Sequence, residues 1–132
     1  MQQRRRISQR SGLLLPIILA LFLVSGCATS QMNKAVTAYE LAGITLKAAY
    51  DTAKPSCDSG ALTAERCAQV KKIYNEARSS YILAGDALLI AVDVSDMVKR
   101  QAKLEEYQTL TNQVTKLTTQ ILKLLQEWKV IK

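Results

Sequence analysis

The sequence predicts an all-α protein: an antiparallel three-helix bundle of long, coiled-coil-like helices behind an N-terminal signal peptide. Three observations carry that expectation. Apolar residues recur in alternating steps of three and four along three long stretches, the spacing of a single helix face. Only five Gly and two Pro punctuate 132 residues, too few turns for a many-stranded fold. A chain that is 48% apolar and 22% charged also holds enough apolar material to bury a core.

The signal comes first. Arg4, Arg5, Arg6 and Arg10 form a basic start without an acidic residue, and an apolar stretch follows from Leu13 to Val24, interrupted only by Pro16. A charged segment ahead of a short apolar one is the layout of a secretory signal. Twelve helical residues rise about 18 Å, short of the roughly 30 Å hydrocarbon core of a bilayer. Residues 1–26 are therefore read as the signal.

Leu23-Val24-Ser25-Gly26-Cys27 resembles the lipobox of bacterial prolipoproteins, with small residues at the two positions before the cysteine. The resemblance implies that Cys27 receives a diacylglyceryl group and that a peptidase cuts between Gly26 and Cys27. No other cofactor is expected. Two or three acyl chains hold a protein firmly on a membrane, where one binds marginally. Ala28 stands where an Asp commonly retains Gram-negative lipoproteins at the inner membrane. The same resemblance therefore implies the inner leaflet of the outer membrane, facing the periplasm. Loss of the four signal arginines takes the formal charge from +7 to +3.

Residues 27–31 are read as a lipidated polar tether and residues 32–132 as the bundle. The first helix is expected from about Gln31 to Lys54, with Met32, Val36, Tyr39, Gly43, Leu46, Tyr50 and Ala53 on its seam and Ala35, Ala42 and Ala49 beside it. Pro55 should end it, because the residue before a proline is pushed out of the α region. Ser56, Asp58, Ser59 and Gly60 are turn formers. Thr63 is the expected N-cap of the second helix, with Glu65 in its first turn. Its seam runs through Cys67, Val70, Tyr74, Ala77, Tyr81, Ala84, Leu88 and Ala91. Val92 to Asp96 is the expected second corner, capped by Ser95 or Asp96, one long bent helix being the alternative. The third helix places Leu104, Tyr107, Leu110, Val114, Leu117, Ile121, Leu124, Trp128 and Ile131 on its seam, with Leu125 widening it near the end. Asn112, Gln113, Lys116, Gln120, Lys123 and Gln126 lie on the polar side.

Cys57 and Cys67 remain once Cys27 is acylated, and an exported protein meets an oxidising compartment. They bracket the first turn, so a structural disulfide between them is expected. Their spacing is far from Cys-x-x-Cys, and two thiolates without His make a poor metal site; no metal site is expected. The chain has no His at all, which removes the usual general base and nucleophile activator. A non-enzyme is expected, with no evident small-molecule substrate. Asp86, Asp93 and Asp96 suit a solvated stripe better than a cation site or a grip on a basic partner. The five tyrosines and Trp128 suit core positions better than a ligand groove. Lys71, Lys72, Lys99, Arg100 and Lys103 are scattered, so nucleic acid is not an expected partner.

Tyr39-Glu40-Leu41-Ala42-Gly43 and Tyr81-Ile82-Leu83-Ala84-Gly85 share four of five residues at an interval of 42. Two copies are too few for a solenoid, and chance on two Ala-rich helices is the preferred reading. From Tyr81 to Val98 the chain is apolar almost all round, and such a helix expects neighbours on several sides. The functional expectation is a lipid-anchored envelope protein acting as a non-catalytic binding or scaffolding module. A protein partner is expected on the polar face of the last helix or on an exposed part of its seam. The alternative to such a partner is self-association through Ile82, Leu83, Leu89, Ile90 and Val94. Two alternatives share this architecture: a phage- or plasmid-type lipoprotein for lysis or exclusion, and a wall-linked structural lipoprotein. The second draws on the terminal Lys132, which resembles the C-terminus of the major murein lipoprotein.

Overall fold

The computed structural model describes the backbone of residues 14–132 and the side chains of residues 30–132. It contains three helices in chain order, α1 (Leu14–Asp58), α2 (Ala64–Asp93) and α3 (Met97–Glu127), and no strand among the described residues. The chain divides into two units, Met1–Lys34 and Ala35–Lys132. The described part of the first is helical throughout. The second is the expected all-α three-helix bundle. The signal-peptide and cleavage assignments, with Gly26 and Cys27, lie outside the described side chains.

Contacts between α1 and α2 descend along one helix as they rise along the other. Tyr39 stacks on Tyr81, Tyr50 on Tyr74, and Cys57 is bonded to Cys67. That order makes the pair antiparallel. α3 packs back along α2. Arg66 near the start of α2 lies 5.0 Å from the Trp128 ring at the end of α3, a cation–π contact. The Tyr107 hydroxyl on α3 donates to the Ala35 carbonyl on α1 at 2.6 Å.

The core mixes alanines with branched aliphatic side chains. Leu46, Ala49 and Ala53 of α1 meet Val70, Ile73 and Ala77 of α2 and Val114, Ile121 and Leu125 of α3. Toward its C-terminal end, α2 turns Ala84, Ala87, Leu88 and Ala91 inward. Its larger neighbours Ile82, Leu83, Leu89 and Ile90 are exposed. The alanines at this end of α2 let the helices approach closely there.

Four details differ from the sequence-based expectation. α1 is helical from Leu14 rather than from Gln31, since Thr29-Ser30-Gln31 contains no Gly or Pro to break it. It also continues through Pro55 to Asp58. The proline withdraws one N–H from the last turn only, beside an exposed Asp51 whose freed carbonyl water can reach. Beyond it the turn is held by Ser59 N–H to the Pro55 carbonyl (3.0 Å), Gly60 N–H to Cys57 (3.2 Å) and Leu62 N–H to Ser56 (2.9 Å). Gly60 has φ +74°, a conformation that suits glycine at a helix end.

The third difference is a rotation of the α3 seam. Tyr107, Val114, Thr118, Ile121 and Leu125 are buried, while Leu110, Leu117 and Leu124 are only half-buried. Thr118 is 4% exposed, and its hydroxyl and that of Thr111 have no partner within the described chain. The polar side of α3 is exposed as expected, from Asn112 to Gln126. Fourth, α3 ends at Glu127 rather than running on to Ile131. Lys129 takes φ 59°, and Val130 N–H reaches the Leu125 carbonyl at 2.8 Å while Lys129 N–H reaches Gln126 at 3.0 Å. This is a Schellman cap, and it folds Val130 and Ile131 back onto the core.

Candidate interaction surface

Capping fixes the α2–α3 corner. α2 starts as expected, Thr63 Oγ1 accepting from Arg66 N–H at 3.3 Å, and it closes with Val94 N–H donating to the Ile90 carbonyl at 3.0 Å. Only residues 94–96 are non-helical, so the alternative of one long bent helix does not hold. Asp96 rather than Ser95 caps α3, its carboxylate accepting from Val98 N–H (2.9 Å) and Lys99 N–H (3.1 Å). The Arg100 guanidinium reaches back and donates twice to the Val94 carbonyl, from Nε at 3.2 Å and from Nη2 at 2.7 Å. The corner is thereby pinned from both sides. What it displays is apolar: Met97 is 68% exposed, Val98 80% and Val92 49%.

A second device sits farther back along α2, between α1 and α2. Tyr39 and Tyr81 stack with ring centroids 4.2 Å apart and planes within 4°. Each ring also lies over the glycine of the opposite helix. A Cβ on Gly43 would meet the Tyr81 hydroxyl at 2.5 Å, and one on Gly85 would meet the Tyr39 hydroxyl at 2.5 Å. The two five-residue copies in the sequence are therefore the two halves of one reciprocal contact, related by a local two-fold axis and not by a translation. This clasp sets how close α1 and α2 stand where their outer faces carry apolar residues.

Burial pushes the Tyr39 hydroxyl up to about 12, helped by its hydrogen bond to Tyr81 and by the charges of Tyr81, Asp86 and Tyr107. A raised phenol means that the folded state holds the proton more tightly than the unfolded one. Its contribution to stability is complete below the ordinary value of 10 and is lost as pH rises from 10 through about 12. Urea midpoints measured across this range should fall in the parent protein, and Tyr39→Phe should flatten that part of the fall.

The exposed large apolar side chains share one half of the bundle. They are Val36, Leu41 and Ile44 on α1, Ile82, Leu83, Leu89, Ile90 and Val92 on α2, and Met97 and Val98 on α3. Among the described residues none stands on the half that carries the disulfide. Of the five residues expected to offer apolar surface, four do so. Val94 is instead half-buried, its carbonyl engaged by Arg100. Leu41, Ile44, Met97 and Val98 were not singled out from the sequence.

The remaining candidates fall as follows. Cys57 and Cys67 form a disulfide, with Cα atoms 5.8 Å apart. Asp86 and Asp93 are exposed, and Asp96 is the α3 cap. Among the described residues no three His, Cys, Asp or Glu side chains come together as a metal site, and no helix is long and apolar enough to cross a membrane. Tyr50, Tyr74 and Trp128 pack against the core, and Tyr107 is buried.

Fold and surface together define a disulfide-fastened three-helix bundle with a one-ended apolar exterior. No protein-family model matches the chain, and neither the curated proteins nor the solved structures yield a match.

Proposed function

We propose that this chain is a lipid-anchored envelope protein whose bundle faces the periplasm as a non-catalytic binding or scaffolding module. The observation that carries the reading is the lipobox-like Val24-Ser25-Gly26-Cys27 at the end of a basic and then apolar N-terminus. Cleavage before Cys27 leaves an acylated residue eight positions ahead of Ala35, where the bundle begins. The Cys57–Cys67 disulfide supports export, because such bonds persist in oxidising compartments. Ala28 after the cysteine favours the inner leaflet of the outer membrane. The apolar exterior near the α2–α3 corner supports a role in contact rather than in chemistry.

The test is acyl labelling in cells. The parent protein should incorporate labelled fatty acid and sediment with membranes, and mass spectrometry should find the acyl groups on Cys27. Cys27→Ala should abolish the label and leave the signal uncut. Persistence of the label in that variant would remove the reading.

A further inference from the structure

We propose that the α2–α3 corner and the adjoining turn of α2 rest in the headgroup layer of a phospholipid bilayer, so that the bundle stands on the membrane by this end. The inference rests on the lipid-anchor reading above and names the surface that the apolar end meets.

Three observations point to lipid. The first is distribution around the helix. Seven residues return to the same face of a helix, while one residue turns by about 100°. Ile82 and Leu89 therefore share one side of α2, Leu83 and Ile90 share another, and Asp86 and Asp93 stand between the two sides. Met97 and Val98 add the start of α3. A flat protein partner covers one of these sides and leaves the others in water. A partner seated on the outer face of α2 would also desolvate two exposed carboxylates. A fluid headgroup layer surrounds the tip, meets every side and leaves Asp93 hydrated.

The second observation is position along the bundle. The apolar residues occupy the half at which the chain arrives from Cys27. Ala35 lies eight positions after Cys27, which is at most about 28 Å of fully extended chain. An acyl group on Cys27 holds this end, and not the disulfide end, within that reach of a bilayer. The third is charge. Across residues 89–103, Lys99, Arg100 and Lys103 stand against Asp93 and Asp96, a balance of +1, and the Asp96 carboxylate is engaged by two backbone amides. Apolar side chains flanked by basic ones suit the boundary between headgroups and acyl chains, where surface-bound helices sink about 5–10 Å.

Val98 is 80% exposed, so a probe there leaves the core untouched. The full-length acylated Val98→Trp protein, reconstituted in vesicles of zwitterionic and anionic phospholipid, should show blue-shifted emission. Lipids brominated near the headgroup should quench most of the added signal. Parent protein, whose only Trp is Trp128 at the opposite end, should not be quenched. A photocrosslinking amino acid at position 98 in cells should give a lipid adduct. Cross-linking to a second copy or to another protein, or an unquenched Val98→Trp on a protein with acylated Cys27, would overturn the docking alone. Absence of acyl groups on Cys27 would instead remove the anchor reading beneath it.

Discussion

Replacing Cys57 and Cys67 together by serine is expected to lower the stability of the bundle by about 3 kcal/mol, from the loop-closure entropy of a chain of roughly eleven residues. Small domains are stable by about 5–15 kcal/mol in all, so this loss is a large share. At roughly 4–8 °C per kcal/mol for a domain of this size, the melting temperature should drop by about 12–24 °C. The effect has a structural reason to be large here. The last turn of α1 contains Pro55 and lacks the hydrogen bond that a different residue would supply. The turn that follows relies on three backbone bonds and on Gly60 at positive φ. Without the disulfide, that end of the hairpin should fray first. Urea titration of the oxidised parent, the reduced parent and the double serine variant measures this. The two forms without the disulfide should coincide, and a double serine variant as stable as the oxidised parent would contradict it.

Gly43→Ala and Gly85→Ala form the second experiment, and its sign is set by packing against propensity. In an isolated helix each change is expected to stabilise by about 1 kcal/mol. In the bundle the new methyl on residue 43 lands 2.5 Å from the Tyr81 hydroxyl and 2.7 Å from its Cζ. The new methyl on residue 85 lands 2.5 Å from the Tyr39 hydroxyl and 2.9 Å from its Cζ. Neither ring can retreat freely, because each is backed by the other at a centroid distance of 4.2 Å. Overpacking of this kind costs about 1–3 kcal/mol per site. Two packing costs less two propensity gains leave a net destabilisation of up to about 4 kcal/mol, because two overlaps at 2.5 Å place the packing cost above the gain. Partner specificity separates this from a general helix effect. Tyr81→Phe should relieve part of the Gly43→Ala cost, and Tyr39→Phe part of the Gly85→Ala cost, with weaker coupling in the crossed pairs. Stabilisation by either alanine would mean that the clasp does not hold the helices.

The features legible in the sequence were those set by local chemistry. The Thr63 cap, the corner before Asp96, the disulfide across the first turn and the polar side of α3 each depend on a few neighbouring residues. Half of the α3 seam was legible, since Tyr107, Val114, Ile121 and Leu125 are buried. The other half was not, because Leu110 and Leu117 keep the same spacing as Thr111 and Thr118 one position on. Apolarity favours the leucine row. The direction in which α1 and α2 lie favours the row that contains the threonines, and that direction is not local. Pro55 misled for a related reason: the rule for the preceding residue is a local bias, and fixing the turn on both sides outweighs it. For the candidate surface, Ile82, Leu83, Leu89 and Ile90 were legible from a helix apolar all round. Leu41 and Ile44 were not, because α1 otherwise keeps a clean seam. The repeated Tyr-x-Leu-Ala-Gly was visible but uninterpretable until antiparallel pairing put each tyrosine on the other copy's glycine.

That reciprocal contact has a consequence for how the chain chooses its partner. A tyrosine and a glycine four residues apart on each helix make the two surfaces interchangeable at that point. The same contact would form between α1 and a second α1, or between α2 and a second α2. Chemistry at the contact therefore carries no information about which helix belongs with which. The information comes from connectivity: only residues 59–63 separate the two helices, and so short a link keeps each copy of the motif at a high effective concentration for the other. Lengthening that link while the cysteines stay reduced would weaken this bias and favour exchange of helices between chains. The turn thus acts as an address, and the disulfide makes it permanent.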